Sequence, residues 1–200
     1  MKKVIVFIDG NNLFHRMWEF YKTHMIDIQE LANTLCCSNR ELKQVRYYYS
    51  PFVKQVNEKT ASLQQIYVEG MRKTIPNLHI SQGKYIKTRT ILKKEVFKKI
   101  KDIITPEDLT GYVEKGVDVQ IAVDMINLGI KKEYDTAILV STDSDFVPIL
   151  TCLKSHGIKM QVAAFQDDSH SCFDLKNHCK SFINLHYYIP TVFKKQKSRK

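Results

Sequence analysis

The chain has no C-x-x-C pair, and its cysteines are odd in number: Cys36, Cys37, Cys152, Cys172 and Cys179. That excludes a fully paired disulfide framework and a zinc knuckle, and it suits reduced thiols in the cytoplasm. His170 and Cys172 with His178 and Cys179 are set aside as a metal cluster. No apolar run is long enough to span a bilayer. The first strand begins without the charged, apolar and small-residue segments of a secretory leader. A soluble, cytoplasmic protein with no membrane partner is expected. There is no internal repeat and no linker to split the chain, so 200 residues with a 44% hydrophobic fraction read as one domain with a single sizeable core.

Acidic residues are in short supply, 21 against 31 Lys and Arg, for a net charge of +10. The excess is uneven. Residues 84–101 hold eight Lys or Arg against Glu95 alone, and residues 194–200 hold five basic residues and no acid. A basic surface of this kind suits a polyanion, with nucleic acid the first candidate. Lys84, Lys87, Arg89, Lys93, Lys94 and Lys115 are the candidate phosphate contacts. Tyr47, Tyr48, Tyr49 and Tyr85 are candidate stacking surfaces, although alternation along a strand should bury one set of the first three.

What acid there is gathers at strand ends. Residues 135–146, DTAILVSTDSDF, open with the apolar run AILV at 137–140, as in a central parallel strand covered on both faces. Ser141-Thr142-Asp143-Ser144-Asp145 follow at once, and Phe146, Val147, Ile149, Leu150 and Leu153 then recur at helical spacing. Asp143 or Ser144 can cap that helix. Capping needs one such residue and several are present, so a function is expected at this edge as well.

The rest of the chain alternates strands and helices. Residues 3–8 form a buried strand that runs into the turn residues Asp9-Gly10-Asn11-Asn12. Helices follow around 13–21 and over 27–37, then a strand over 43–50. A helix over 58–74 is expected to bury Leu63, Ile66, Tyr67 and Met71, and a strand covers 78–91. Residues 92–112 fit either a basic amphipathic helix or an edge strand. A helix after Gly116, with Val119, Ala122, Val123, Ile126 and Leu128, is expected to stop near Gly129. A strand over 158–165, a helix over 170–180 and a last strand at 182–185 complete a three-layer α/β/α sandwich around a mostly parallel sheet. The domain is placed at 1–190, with a basic, disordered tail over 191–200.

In a parallel sheet all carboxyl ends share one edge, so Asp9, Asp143 and Asp145 can converge. Asp118, at the start of a returning helix, can join them. No Arg lies in either acidic run to offset the repulsion. Mg²⁺ or Mn²⁺, hard cations that take oxygen ligands, are the natural solution, and such ions can activate water for phosphodiester cleavage. Asp124 is six residues from Asp118, about 600° around the helix, and reads as structural. Ser141 and Thr142 offer oxygens as ligands or loop hydrogen bonds. Neither Thr142 nor Ser144 has a base at a recognisable spacing that would make it a nucleophile.

FIDGNNLF at 7–14, EKGVDVQIAVDM at 114–125 and LVSTDSDFVPIL at 139–150 together resemble the NYN-domain family, relatives of the PIN-like nucleases, over about residues 2–186. The resemblance implies PIN-like strand order and a metal-dependent ribonuclease site. Asp9, Asp118 and Asp143 match its acidic metal-binding positions, Asp145 is a fourth candidate, and Asn12 matches an Asn that orients substrate or water. Family members often place an Asp before the final Phe-Ile strand; this chain has Lys180-Ser181 there, a difference in a local contact. The expected activity is hydrolysis of nucleic acid, RNA before DNA, and a homodimer is a candidate assembly. The alternative is a non-catalytic RNA- or protein-binding module that retains the PIN-like fold. An aspartyl phosphatase would need an Asp two residues after Asp9, and Asn11 stands there.

Overall fold

The computed structural model describes residues 1–54, 56–90, 105, 110–167 and 169–198. In chain order the elements are β1 (Lys2–Asp9), α1 (Gly10–Tyr21), α2 (Ile28–Cys36), β2 (Arg40–Tyr49), α3 (Glu58–Thr74), β3 (Leu78–Gln82), β4 (Lys84–Arg89), β5 (Thr110–Lys115), α4 (Val117–Ile130) and β6 (Thr136–Val140). A 3₁₀ turn (Ser144–Phe146), α5 (Val147–Ser155), β7 (Lys159–Ala164), α6 (His170–His178), β8 (Ser181–Asn184) and α7 (Leu185–Ser198) follow.

Six strands make one sheet in the order β3-β2-β1-β6-β7-β8, and every neighbouring pair is parallel. Alternation along β1 divides the core between the two faces. Val4, Val6 and Ile8 pack with α1, α2, α3 and α7, while Ile5 and Phe7 pack with α4, α5 and α6. This is the three-layer α/β/α arrangement. The chain runs outward from β1 to β3 and then returns to β6 on the other side of β1, so strand order reverses between β1 and β6. A crevice at the carboxyl ends of such a pair is where open α/β sheets bind ligands.

β4 and β5 leave this sheet. They pair antiparallel as a separate ribbon, with Lys84 opposite Lys115, Tyr85 opposite Glu114 and Arg89 opposite Thr110. The expected single strand over 78–91 is therefore broken at Gly83. A side chain there would collide with the Ser50 hydroxyl, Val117 and the Lys115 carbonyl, which fixes where the ribbon departs. The ribbon starts at the carboxyl end of β3 and leads straight into α4, so it stands over the same edge as the crevice.

One helix, α3, buries a different face from the one its sequence suggests. In α3 the buried residues are Ala61, Gln64, Val68 and Met71, whereas Leu63 and Ile66 are exposed. Hydrogen bonds turn Gln64 inward: it accepts from Phe52 N at 2.8 Å and donates to the Ser50 carbonyl at 3.2 Å. In α4 Val117, Ile121, Met125 and Gly129 are buried, and Val119 and Val123 are exposed. That helix is apolar on more than one side, so periodicity alone does not choose between its stripes. Gly129 belongs to the buried stripe, where the Tyr134 hydroxyl and Ile158 leave no room for a side chain.

The carboxyl terminus also differs from expectation. α7 runs to Ser198, and Ile189 and Val192 on it are buried with α2. Of these two, Val192 lies beyond residue 190, so the buried face of this helix continues past that point. No helix among the described residues is long and apolar enough to cross a membrane.

Candidate active site at the carboxyl edge of the sheet

Asp9 is the last residue of β1 and the N-cap of α1. One of its carboxylate oxygens accepts from Asn12 N at 3.0 Å, and the other from the Ser141 hydroxyl at 3.1 Å. Gly10 comes next because the ring of Tyr47 lies directly against its Cα. Ser141 also accepts from Asp143 N at 3.1 Å, and Asp143 caps the 3₁₀ turn by accepting from Asp145 N at 2.9 Å. Asn12 ties the two crossover loops together: its side-chain carbonyl accepts from both the Thr142 amide and the Thr142 hydroxyl at 3.1 Å. Thr142 also accepts from Arg16 Nε at 3.2 Å. Asp143 is thus a cap, as its residue type alone suggests, and it also stands in the crevice.

Asp118 enters from the first turn of α4. Its N-cap is Gly116, held at φ 93°, with no side-chain cap. Asp118 is exposed as a residue, yet its carboxyl end is crowded. Lost solvent and then the charges of Asp143, Glu114 and Asp145 push its pKa above the ordinary carboxylate range. Asp9 is only 5% exposed, and its carboxyl is pushed up to about 7. Burial is the main cause; Asp118 and Glu114 add to it, while the bonds from Asn12 and Ser141 oppose it.

Glu114 is the member that the sequence patterns do not reveal. It reaches the group from β5, and Asn11 Nδ2 donates to it at 2.9 Å and to the Tyr85 hydroxyl at 3.2 Å. Asn11 is buried and also meets Gln64, so it joins α1, α3 and the ribbon. Only the register of the β4–β5 ribbon, which sets Glu114 opposite Tyr85, brings that carboxylate to the group. His15, one turn beyond Asn11, also lies near Glu114. Its pKa is lowered, chiefly by burial of the imidazole, against a pull from the nearby Glu114.

The ion pairs among the described residues are Arg16–Glu19, Arg16–Asp167, Lys43–Glu41 and Arg46–Asp124. None involves Asp9, Glu114, Asp118, Asp143 or Asp145. Five carboxylates thus share one edge with no cationic partner among the described residues. Such an oxygen-only donor set fits a hard divalent cation. Among the described residues, no three His, Cys, Asp or Glu side chains are close enough to enclose an ion. The group is a shared acidic region, not a preformed cage.

Asp124 stands apart from this group, where it accepts from Arg46 and from the Tyr48 hydroxyl, each at 2.7 Å. Tyr47, Tyr48 and Tyr49 are all buried, which removes them as stacking surfaces; Tyr85 is only partly buried. Opposed residues of an antiparallel pair share a face. Lys87 and Arg89 therefore lie on the ribbon face of Tyr85 and Glu114, which meets the acidic edge, while Lys84 and Lys115 lie on the reverse. Lys93 and Lys94 lie outside the described residues. At the amino edge, the far end of the strands, a cavity of about 580 Å³ is lined by Lys2, Arg40, Lys159 and Lys180, away from these carboxylates.

Residues 3–186 match the family model of the NYN domain. A crystal structure of a protein of unknown function from Vibrio parahaemolyticus superposes with a TM-score of 0.61 at 16% identity, covering 92% of this chain and 93% of that one. At that identity the likeness concerns the fold. No curated protein has a significantly similar sequence.

Proposed function

This chain belongs to the NYN-domain family, within the PIN-like nuclease superfamily, and from that premise we propose that it is a divalent-metal-dependent nuclease that cleaves RNA in preference to DNA. The observation that carries the reading is the gathering of Asp9, Glu114, Asp118, Asp143 and Asp145 at the β1/β6 crevice, with no cation among the described residues paired to them.

Asp9, Asp118 and Asp143 would hold Mg²⁺ or Mn²⁺, with Asp145 and Glu114 as further oxygen donors. When bound, such a cation supplies positive charge to the scissile phosphate and acidifies water. The chain's own contribution is placement. Asp9 is fixed at the end of the central strand by Asn12 and Ser141. Asn12 is a positioning residue whose side-chain carbonyl holds Thr142 of the 141–143 loop against α1. Lys87 and Arg89, on the site-facing side of the ribbon, neutralise backbone phosphates and orient the strand. No side chain here is set up as a covalent nucleophile, so the product is formed by direct attack of water.

The deciding experiment is cleavage of RNA and DNA oligonucleotides by wild type and Asp143→Asn. Activity should vanish in chelator and return with Mn²⁺. The variant should lose more than the roughly 10–100-fold that removing an indirect metal-site partner costs, while its melting temperature holds or rises. Equal cleavage by both preparations would mean a contaminating nuclease, and the non-catalytic binding module would then be the better reading.

A further inference from the structure

The sole tryptophan, Trp18, is half-exposed, and two more rings lie nearly parallel to its indole. His24 stacks on Phe14 at 3.7 Å with 5° between planes, and Trp18 stacks on His24 at 4.7 Å with 17°. Local sequence builds this column. Phe14 and Trp18 are one turn apart on α1, and the helix ends at Lys22 in a left-handed cap, φ 53°. The chain turns back there and inserts His24 between the two rings, where its Nδ1 meets the Phe14 carbonyl at 3.3 Å. Phe14 is buried at the base, so the column rises from the core and ends in an indole with one face covered and 50% of the residue exposed.

We propose that Trp18 is a stacking platform for an unpaired nucleobase of the strand held at the acidic edge. The identity of the strand rests on the nuclease reading above; the platform rests on the rings. Three observations favour a nucleic-acid strand as the occupant. Aromatic contacts continue from the column toward the carboxylates: Phe14 meets Phe52 at 5.1 Å, and Phe52 stacks on Tyr85 at 6.0 Å, whose hydroxyl meets Asn11. Lys22 lines the same shallow depression as Trp18, about 230 Å³, and supplies a cation for a neighbouring phosphate. The spacing also suits a strand. Trp18 is nine residues along α1 from Asp9, about 14 Å, the span of roughly four stacked nucleotides. A flat π-face accepts any base, so the platform is blind to sequence. It distinguishes single strands, whose base faces are available, from duplexes, whose bases cover one another.

Because Trp18 is the only tryptophan, its emission reports on the platform directly. The full chain, in chelator and at low salt, is titrated with a ten-nucleotide single strand and with the same strand annealed to its complement. Binding is followed in parallel by anisotropy of an end label. The single strand should quench the emission saturably and the duplex should not. Trp18→Ala should bind the single strand roughly 5- to 150-fold more weakly, the equivalent of about 1–3 kcal/mol for one stacked base, and Trp18→Phe should recover most of the loss. Three results would each overturn the platform: binding of the single strand with unchanged emission and unchanged affinity in Trp18→Ala, no binding of any single strand, or emission that changes with protein concentration alone. The last would make this face a contact between copies of the chain. Failure of Asp143→Asn to lose cleavage would sink the nuclease reading while leaving the quenching result intact.

Discussion

Asp9 shows how one residue serves both the fold and the site. Its carboxyl is buried at the end of the central strand, and burial pushes its pKa up to about 7 from an ordinary value near 3.8. Between those two values the unfolded chain has released the proton while the folded chain keeps it. The unfolded state then binds fewer protons, so stability falls as pH rises through the window and levels off above it. Asp9→Asn removes this penalty and retains both bonds, since an amide accepts from Asn12 N and donates to the Ser141 hydroxyl. Without metal, the variant should be more stable than wild type at pH 8 by up to roughly 3–4 kcal/mol, and the gap should close toward pH 4. Urea denaturation of both proteins at the two pH values measures this. Adding Mn²⁺ should narrow the gap at pH 8 by stabilising wild type alone, as linkage to a ligand of the folded state requires. A gap independent of pH would show that folding leaves the proton affinity of the Asp9 carboxyl unchanged.

At the scale of elements, the β4–β5 ribbon decides which basic residues face the substrate. Its register divides a set that the sequence presents as one cluster: Lys87 and Arg89 share the face of Tyr85 and Glu114, and Lys84 and Lys115 share the other. Changing Lys87 and Arg89 to Gln should reduce the log–log salt slope of nucleic-acid binding by roughly 0.7–0.9 for each phosphate no longer neutralised. The Lys84→Gln/Lys115→Gln pair should leave that slope nearly unchanged, and equal effects from the two pairs would place the strand against both faces. The helix faces carry a related lesson. Leu63 and Ile66 look like the core of α3, yet Gln64 is buried in their place because it bonds Phe52 N and the Ser50 carbonyl in the loop after β2 and Asn11 on α1. Gln64→Ala would remove one hydrogen bond from each of those groups and should cost about 1–3 kcal/mol in urea denaturation. An unchanged midpoint would mean that water takes over all three bonds.

For the whole molecule, the charge layout separates structure from chemistry. Asp124 is on the same helix as Asp118, yet it pairs with Arg46, which is only 8% exposed, and with the Tyr48 hydroxyl on β2. Asp124→Asn should cost stability, about 1–3 kcal/mol, because it weakens a bond to a buried guanidinium. Its cleavage rate per folded molecule should match wild type. A rate loss as large as that of Asp143→Asn would bring Asp124 into the acidic group after all. At the opposite end of the strands, Lys2, Arg40, Lys159 and Lys180 line a basic cavity, so the two edges of the sheet carry charge of opposite sign.

Much of this was legible in the residues themselves. Continuous apolar runs such as those at 5–8 and 137–140 can be satisfied only between two helical layers. Acids directly after those runs must then stand at the shared carboxyl edge, because the side-chain period and the direction of a parallel strand leave no other place. The placement of Asp9 and Asp143 at that edge follows from local order, and that of Asp118 from a helix that returns to it. Tertiary structure decided what local order leaves open. The break at Gly83 and the ribbon register, and with them Glu114 and the division of the lysines, depend on the Ser50 hydroxyl, Val117 and the Lys115 carbonyl crowding one backbone position. The buried stripe of α4 depends on which of two apolar faces the sheet covers. The column of Phe14, His24 and Trp18 depends on a chain reversal at Lys22. Each of these is a contact between segments distant in sequence or a turn in a conformation its residue does not announce, and periodicity, which records only the nearest neighbours along one element, contains neither.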